Sequence, residues 1–80
     1  MNKPWPVTII EDRYGGTYSG AKWLAFDKYP EEVGSSEAMG DDYSCAEFFA
    51  DTDWLIGKGD TPQAAYEDLL ARWQNTNPTP

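Results

Sequence analysis

Between Glu31 and Asp53 the chain carries eight carboxylates and no lysine or arginine. They are Glu31, Glu32, Glu37, Asp41, Asp42, Glu47, Asp51 and Asp53. The 80-residue chain has 14 acidic and 6 basic residues and a net charge of −8, so this one segment holds the whole excess. A field of that sign repels nucleic acid and anionic membrane and attracts basic surfaces. Closely spaced carboxylates can also stand in for phosphates in a groove lined by Arg and Lys. A solvated, solubilising face is the competing explanation. Segregation of the acids speaks against it, because self-repulsion costs a small compact chain stability.

Catalytic chemistry has little to work with. The chain contains no histidine, which removes Ser-His-Asp and Cys-His arrangements and the usual proton shuttle near neutral pH. Paired carboxylates do acid–base work only in a cleft that shifts a pKa, and a core this small seldom encloses one. The chain is therefore expected not to be an enzyme. Tyr14-Gly15-Gly16-Thr17-Tyr18-Ser19-Gly20-Ala21-Lys22 has the composition of a phosphate loop, but Trp23 follows the lysine where Ser or Thr is required. It reads as a flexible hairpin turn whose Tyr14 and Tyr18 are interface anchors. Asp51-Thr52-Asp53 fails as a calcium loop at Leu55 and Ile56. No metal ligand set and no cofactor are expected. Cys45 lies in an apolar helical pattern and reads as a buried structural thiol.

A chain of this length forms one domain, residues 1–80, with 75–80 as a flexible tail. Aromatic residues make up 15% of it and are expected to form the core. The lone cysteine suits a reducing compartment. No apolar run is long enough to span a bilayer, and the first residues lack a signal-peptide stretch. These features predict a cytoplasmic protein.

The elements that must position these groups follow from pattern. Val7-Thr8-Ile9-Ile10-Glu11-Asp12 predicts a strand within 7–12 that ends at Glu11 or Asp12. A turn lies within 13–17, and a second strand covers 22–27, with a start as early as 17 or 18. Residues 28–42 read as a loop with room for a helical turn at Glu31-Glu32-Val33. A short helix is predicted over 43–50, capped by Asp41 or Asp42, with Cys45, Phe48 and Phe49 inward. A third strand covers 54–58. Thr61 then caps a helix through about Gln74, with Pro62 in its first turn and Ala65, Leu69 and Trp73 as its packing stripe. The fold class is α+β: a small, mostly antiparallel three-stranded sheet, one C-terminal packing helix and a short inserted helix, in the order β-β-α-β-α.

Two stretches bear a family resemblance. Gly57-Lys58-Gly59-Asp60-Thr61-Pro62-Gln63-Ala64-Ala65 resembles the strand-to-helix passage of HicB-like antitoxin domains. Glu11 to Ala25, taken with Gly59-Asp60-Thr61-Pro62, looks like small acidic phage and mobile-element proteins, among them anti-CRISPRs acting on type I-C effector complexes. The second resemblance implies an inhibitor that binds the Cascade complex and blocks target DNA. The expected partner is thus a protein with a basic nucleic-acid-binding surface, met by the eight carboxylates and anchored by Tyr14, Tyr18 and Tyr29. The chain itself is expected to bind neither nucleic acid nor membrane. The alternative is a HicB-like antitoxin module that covers a basic toxin surface.

Overall fold

A computed structural model describes residues 3–76 of the chain. Its elements are β1 (Thr8–Glu11), β2 (Trp23–Phe26), α1 (Pro30–Ser35), a 3-10 helix (Glu37–Met39), α2 (Asp42–Asp51), β3 (Ile56–Gly59) and α3 (Pro62–Thr76). The three strands form one antiparallel sheet in the order β1-β2-β3, so the fold is α+β.

Register decides what each face of the sheet meets. Ile10 pairs with Leu24 and Thr8 with Phe26, while Lys58 and Ile56 complete those two rows. On this side Leu24, Phe26 and Ile56 form a core with Val33 of α1 and Ala38 of the 3-10 helix. Half-buried Phe48, Phe49 and Trp54 pack around it, and edge-to-face contacts link Phe48 to Trp54 at 5.3 Å and Phe26 to Trp54 at 6.0 Å. The alternate residues Ile9, Ala25 and Gly57, then Glu11, Trp23 and Gly59, point to the other side. There Ala25 of β2 is fully buried against Ala65 and Leu69 of α3.

The sequence of β3 sets the closeness of α3. A Cβ on Gly57 would overlap the Ala65 carbonyl oxygen and lie 2.5 Å from the Leu69 nitrogen. One on Gly59 would lie 2.6 Å from the Ala65 nitrogen. Two glycines on one face of the strand therefore let the helix backbone rest on the sheet. The Thr61 hydroxyl starts α3 by accepting the Ala64 N–H at 3.0 Å. Thr61→Ala should lower the denaturation free energy by about 1 kcal/mol, read from a urea titration, while Thr61→Asp should keep it.

The outer edge of β3 is closed by α3. Lys58 N–H donates to the Asp68 carboxylate at 2.8 Å, and Arg72 Nε donates to the same oxygen at 2.6 Å. Desolvation pushes the Asp68 pKa up, but the bonds from Arg72 and the Lys58 amide outweigh it and leave it below the ordinary value.

Several boundaries differ from the sequence-based expectation. The first strand begins at Thr8 rather than Val7 and ends at Glu11, the earlier of its two expected ends, with Asp12 turned inward and buried. The second begins at Trp23, since residues 13–19 are spent in turns that use positive φ at Gly15 and Gly16. The third runs Ile56–Gly59 rather than 54–58, which leaves Trp54 and Leu55 in the approach to it. The expected loop at 28–42 holds α1 and the 3-10 helix, seated by Val33 and Ala38. The inserted helix matches its prediction to within a residue, with Asp41 as cap and Cys45 fully buried. Trp73, near the C-terminal end of α3, is half-buried rather than core. Phe26 is the one fully buried aromatic, and Trp5, Tyr29 and Tyr43 are exposed, so the core is more aliphatic than composition suggests. The expected tail is helical at Asn75 and Thr76, and 77–80 lie outside the described residues. No described helix is long and apolar enough to cross a membrane.

Candidate protein-interaction surface

The hairpin loop is built around one carboxylate. Asp12 is 5% exposed. Its Oδ1 accepts the Tyr14 N–H at 3.2 Å, and its Oδ2 accepts the Gly16 N–H at 2.6 Å and the Ser19 hydroxyl at 2.7 Å. Gly16 reaches that position at φ +97°, a conformation that L side chains rarely adopt. The backbone closes the loop further, with Gly15 N–H on the Asp12 carbonyl and Gly20 N–H on the Gly16 carbonyl. The loop expected to be flexible is thus tied to its own strand end.

That loop also docks on the acidic segment. Arg13 donates to the Gly40 carbonyl at 3.0 Å, and the Tyr14 hydroxyl donates to the same oxygen at 3.3 Å. The Arg13 guanidinium lies 5.2 Å from the Tyr14 ring centre, and Tyr18 meets Tyr14 edge to face at 5.5 Å. Partial burial pushes the Tyr14 pKa up; Arg13 opposes this, and the Asp42 and Asp41 carboxylates add to it. The hairpin tip and the N-terminus of α2 therefore form one continuous surface.

All eight carboxylates expected to face a partner are exposed. None is in an ion pair among the described residues, where Asp68–Arg72 is the ion pair found. Two also do local work. Glu32 accepts the Tyr29 N–H at 3.1 Å at the start of α1, and Asp41 caps α2 by accepting the Ser44 N–H at 2.9 Å. The Ser44 bond holds the Asp41 pKa below its ordinary value. Glu37, Glu47 and Asp51 gather with Phe48 and Thr52 around an open depression of about 340 Å³. Asp41 and Asp42 accompany Tyr14 and Tyr18, Glu31 and Glu32 sit on α1 beside exposed Tyr29, and Asp53 lies between α2 and β3. No three His, Cys, Asp or Glu side chains converge as metal ligands among the described residues. Burial raises the Cys45 pKa, with the Asp12 and Asp42 charges adding to it, so the thiol stays protonated at neutral pH.

Sequence reasoning missed Asp12, Ser19, Arg13 and Gly40, which assemble the surface, and Tyr43, which is 73% exposed beside Asp42. An acid immediately before a Gly-rich turn was the available signal for Asp12. Comparison with known proteins finds no matching family model, no matching curated protein and no matching solved structure.

Proposed function

We propose that this protein inhibits a type I CRISPR effector, the Cascade complex, by placing its acidic surface on a basic groove that otherwise takes target DNA. It acts in the cytoplasm of a bacterial host, makes no direct contact with nucleic acid and performs no catalysis. The observation that supports this reading most is the set of eight exposed carboxylates without ion-pair partners among the described residues. Such groups keep their full field for a partner, and arginines on that partner offset the cost of desolvating them. Tyr14, Tyr18 and Tyr29 supply apolar anchoring beside the charge.

The test is inhibition of target-DNA binding by a purified type I effector, with association and dissociation rates measured at low and physiological salt. Glu31→Gln/Glu32→Gln and Asp41→Asn/Asp42→Asn suit this purpose, since Gln and Asn keep the local hydrogen bonds and remove the charge. Each pair should slow association several-fold at low salt and flatten its salt dependence. Tyr18→Ala should instead speed dissociation about tenfold. Inhibition by the wild type that neither pair weakens at either salt would reduce the acids to a solubilising role. A wild type that does not bind the effector would end this reading and favour the antitoxin-like one, in which the same surface covers a small basic toxin.

A further inference from the structure

We propose that the hollow beside the outer edge of β3 binds a small organic acid, one aromatic ring carrying a single carboxylate. Three of the chain's six bases meet here, in a protein of net charge −8. Lys58 and Arg72 line the hollow, and the Lys28 ammonium lies 5.1 Å from the centre of the Trp54 ring. Trp54, Phe49 and Leu55 supply an apolar wall. Cations and an apolar wall around one hollow of about 190 Å³ match an anion with an apolar body.

The backbone adds a donor whose direction the register fixes. Asp12 N–H donates to the Lys22 carbonyl, so Leu24 and Phe26 also turn their backbone groups toward β1, and Trp23 and Ala25 turn theirs toward β3. Gly59 and Gly57 face those two residues, which leaves the N–H groups of Ile56 and Lys58 on the outer side. Lys58 N–H accordingly donates outward, to Asp68 at 2.8 Å. The Ile56 side chain belongs to the core, so what this residue brings to the hollow is the outward edge of its backbone.

The same edge already holds one carboxylate. Asp68 takes the Lys58 N–H together with Arg72 Nε at 2.6 Å. A ligand carboxylate at Ile56 repeats that arrangement two residues along the strand. It meets a main-chain N–H, the terminal NH₂ groups of Arg72 and the Lys58 ammonium. The Thr52 hydroxyl accepts the Trp54 N–H at 3.1 Å and has its own hydrogen to donate. The hollow is smaller than the roughly 300 Å³ at which sites for drug-sized ligands begin, so it takes a single ring rather than a nucleotide or a peptide segment. Net charge selects further: the long-range field repels a phosphate or a polyanion more than a singly charged acid.

The site shares no carboxylate and no tyrosine with the acidic surface, and the proposal is independent of the inhibitor reading. Sodium benzoate is the probe, titrated into the isotope-labelled chain to about 20 mM and followed by NMR, with acetate and benzamide as comparisons. The Ile56 amide signal should move and saturate with a dissociation constant on the order of 10⁻³ M. Acetate, which lacks the ring, and benzamide, which lacks the charge, should each bind about tenfold more weakly or worse. Lys58→Gln keeps the main-chain bond to Asp68 and should weaken benzoate binding about threefold or more, with folding checked by circular dichroism. Arg72→Gln should weaken it at least as much. An Ile56 amide that benzoate leaves unmoved would overturn the proposal. Benzamide binding as well as benzoate would reduce the site to an apolar hollow, acetate binding as well would reduce it to unspecific anion contact, and Lys58→Gln binding like the wild type would place the ligand elsewhere; each overturns it equally.

Discussion

Gly57→Ala should destabilise the protein by about 3 kcal/mol or more, although it adds a single methyl group. The added carbon would overlap the Ala65 carbonyl oxygen and crowd the Leu69 nitrogen and Cβ, all belonging to α3. Two of those three atoms are backbone, so no rotamer change relieves the clash. The helix must lift from the sheet, which separates its Ala65 and Leu69 from Ala25. A domain of this size has a thin stability margin, so a sizeable unfolded fraction is expected even without denaturant. Gly34→Ala is the control: its Cβ meets nothing within 4 Å and it lies inside α1, where alanine should add about 0.5–1 kcal/mol. Urea titrations of both variants check the pair. An unchanged midpoint for Gly57→Ala would show that α3 is not seated on β3 as described.

The parts of this fold that were legible in the sequence are those set by local signals. The β-branched run at Val7 to Ile10 and the Thr61-Pro62 start of α3 each specify their element within a few residues. Exposure of the acidic segment follows from the cost of burying charge and needs no knowledge of the fold. Gly57 could be read only as a weak strand residue and Gly59 as part of the passage into the helix, because the helix that requires their missing side chains arrives through tertiary packing. Helix α1 could be read only as one helical turn at Glu31-Glu32-Val33 within a loop, for a related reason. Pro-Glu-Glu-Val-Gly-Ser has the composition of a loop, and the helix is held by one apolar residue, Val33, docking on a distant core. The candidate surface divides the same way. Its charges were readable, but the contacts joining Tyr14 and Arg13 to Gly40 span 26 and 27 residues and leave no local trace. The inward turn of Asp12 belongs to the same class, since its partners take shape only once the loop closes.

Asp12→Ala should cost about 2–3 kcal/mol of stability and, on the function proposed above, should weaken inhibition of the effector although Asp12 is buried. Removing the carboxylate orphans the Tyr14 and Gly16 amides and the Ser19 hydroxyl, each with a desolvation cost of about 1–3 kcal/mol when it stays buried. The loop can open to hydrate them, which is why the total falls below the sum. That opening is the functional consequence. Residues 13–20 lose the tie that presents Arg13 and Tyr14 to Gly40, so the tyrosine pair separates from the acidic face. A partner must then order the loop as it binds, and affinity drops about tenfold. The kinetic signature separates this from lost charge. The substitution removes one carboxylate that is buried, so the long-range field and the association rate should hardly change, while dissociation accelerates. Asp12→Asn should fall between wild type and Asp12→Ala, since its oxygen can still accept one amide but its NH₂ group faces donors at the other position. Tyr14→Phe, which removes only the hydroxyl bond to Gly40, should have the smallest effect of the three. Exchange of the Gly16 amide reports loop opening directly, and the inhibition assay is run where circular dichroism shows each variant folded. If Gly16 exchanges freely in Asp12→Ala while inhibition is unchanged, the hairpin tip lies outside the interface and the carboxylates of the acidic segment act alone.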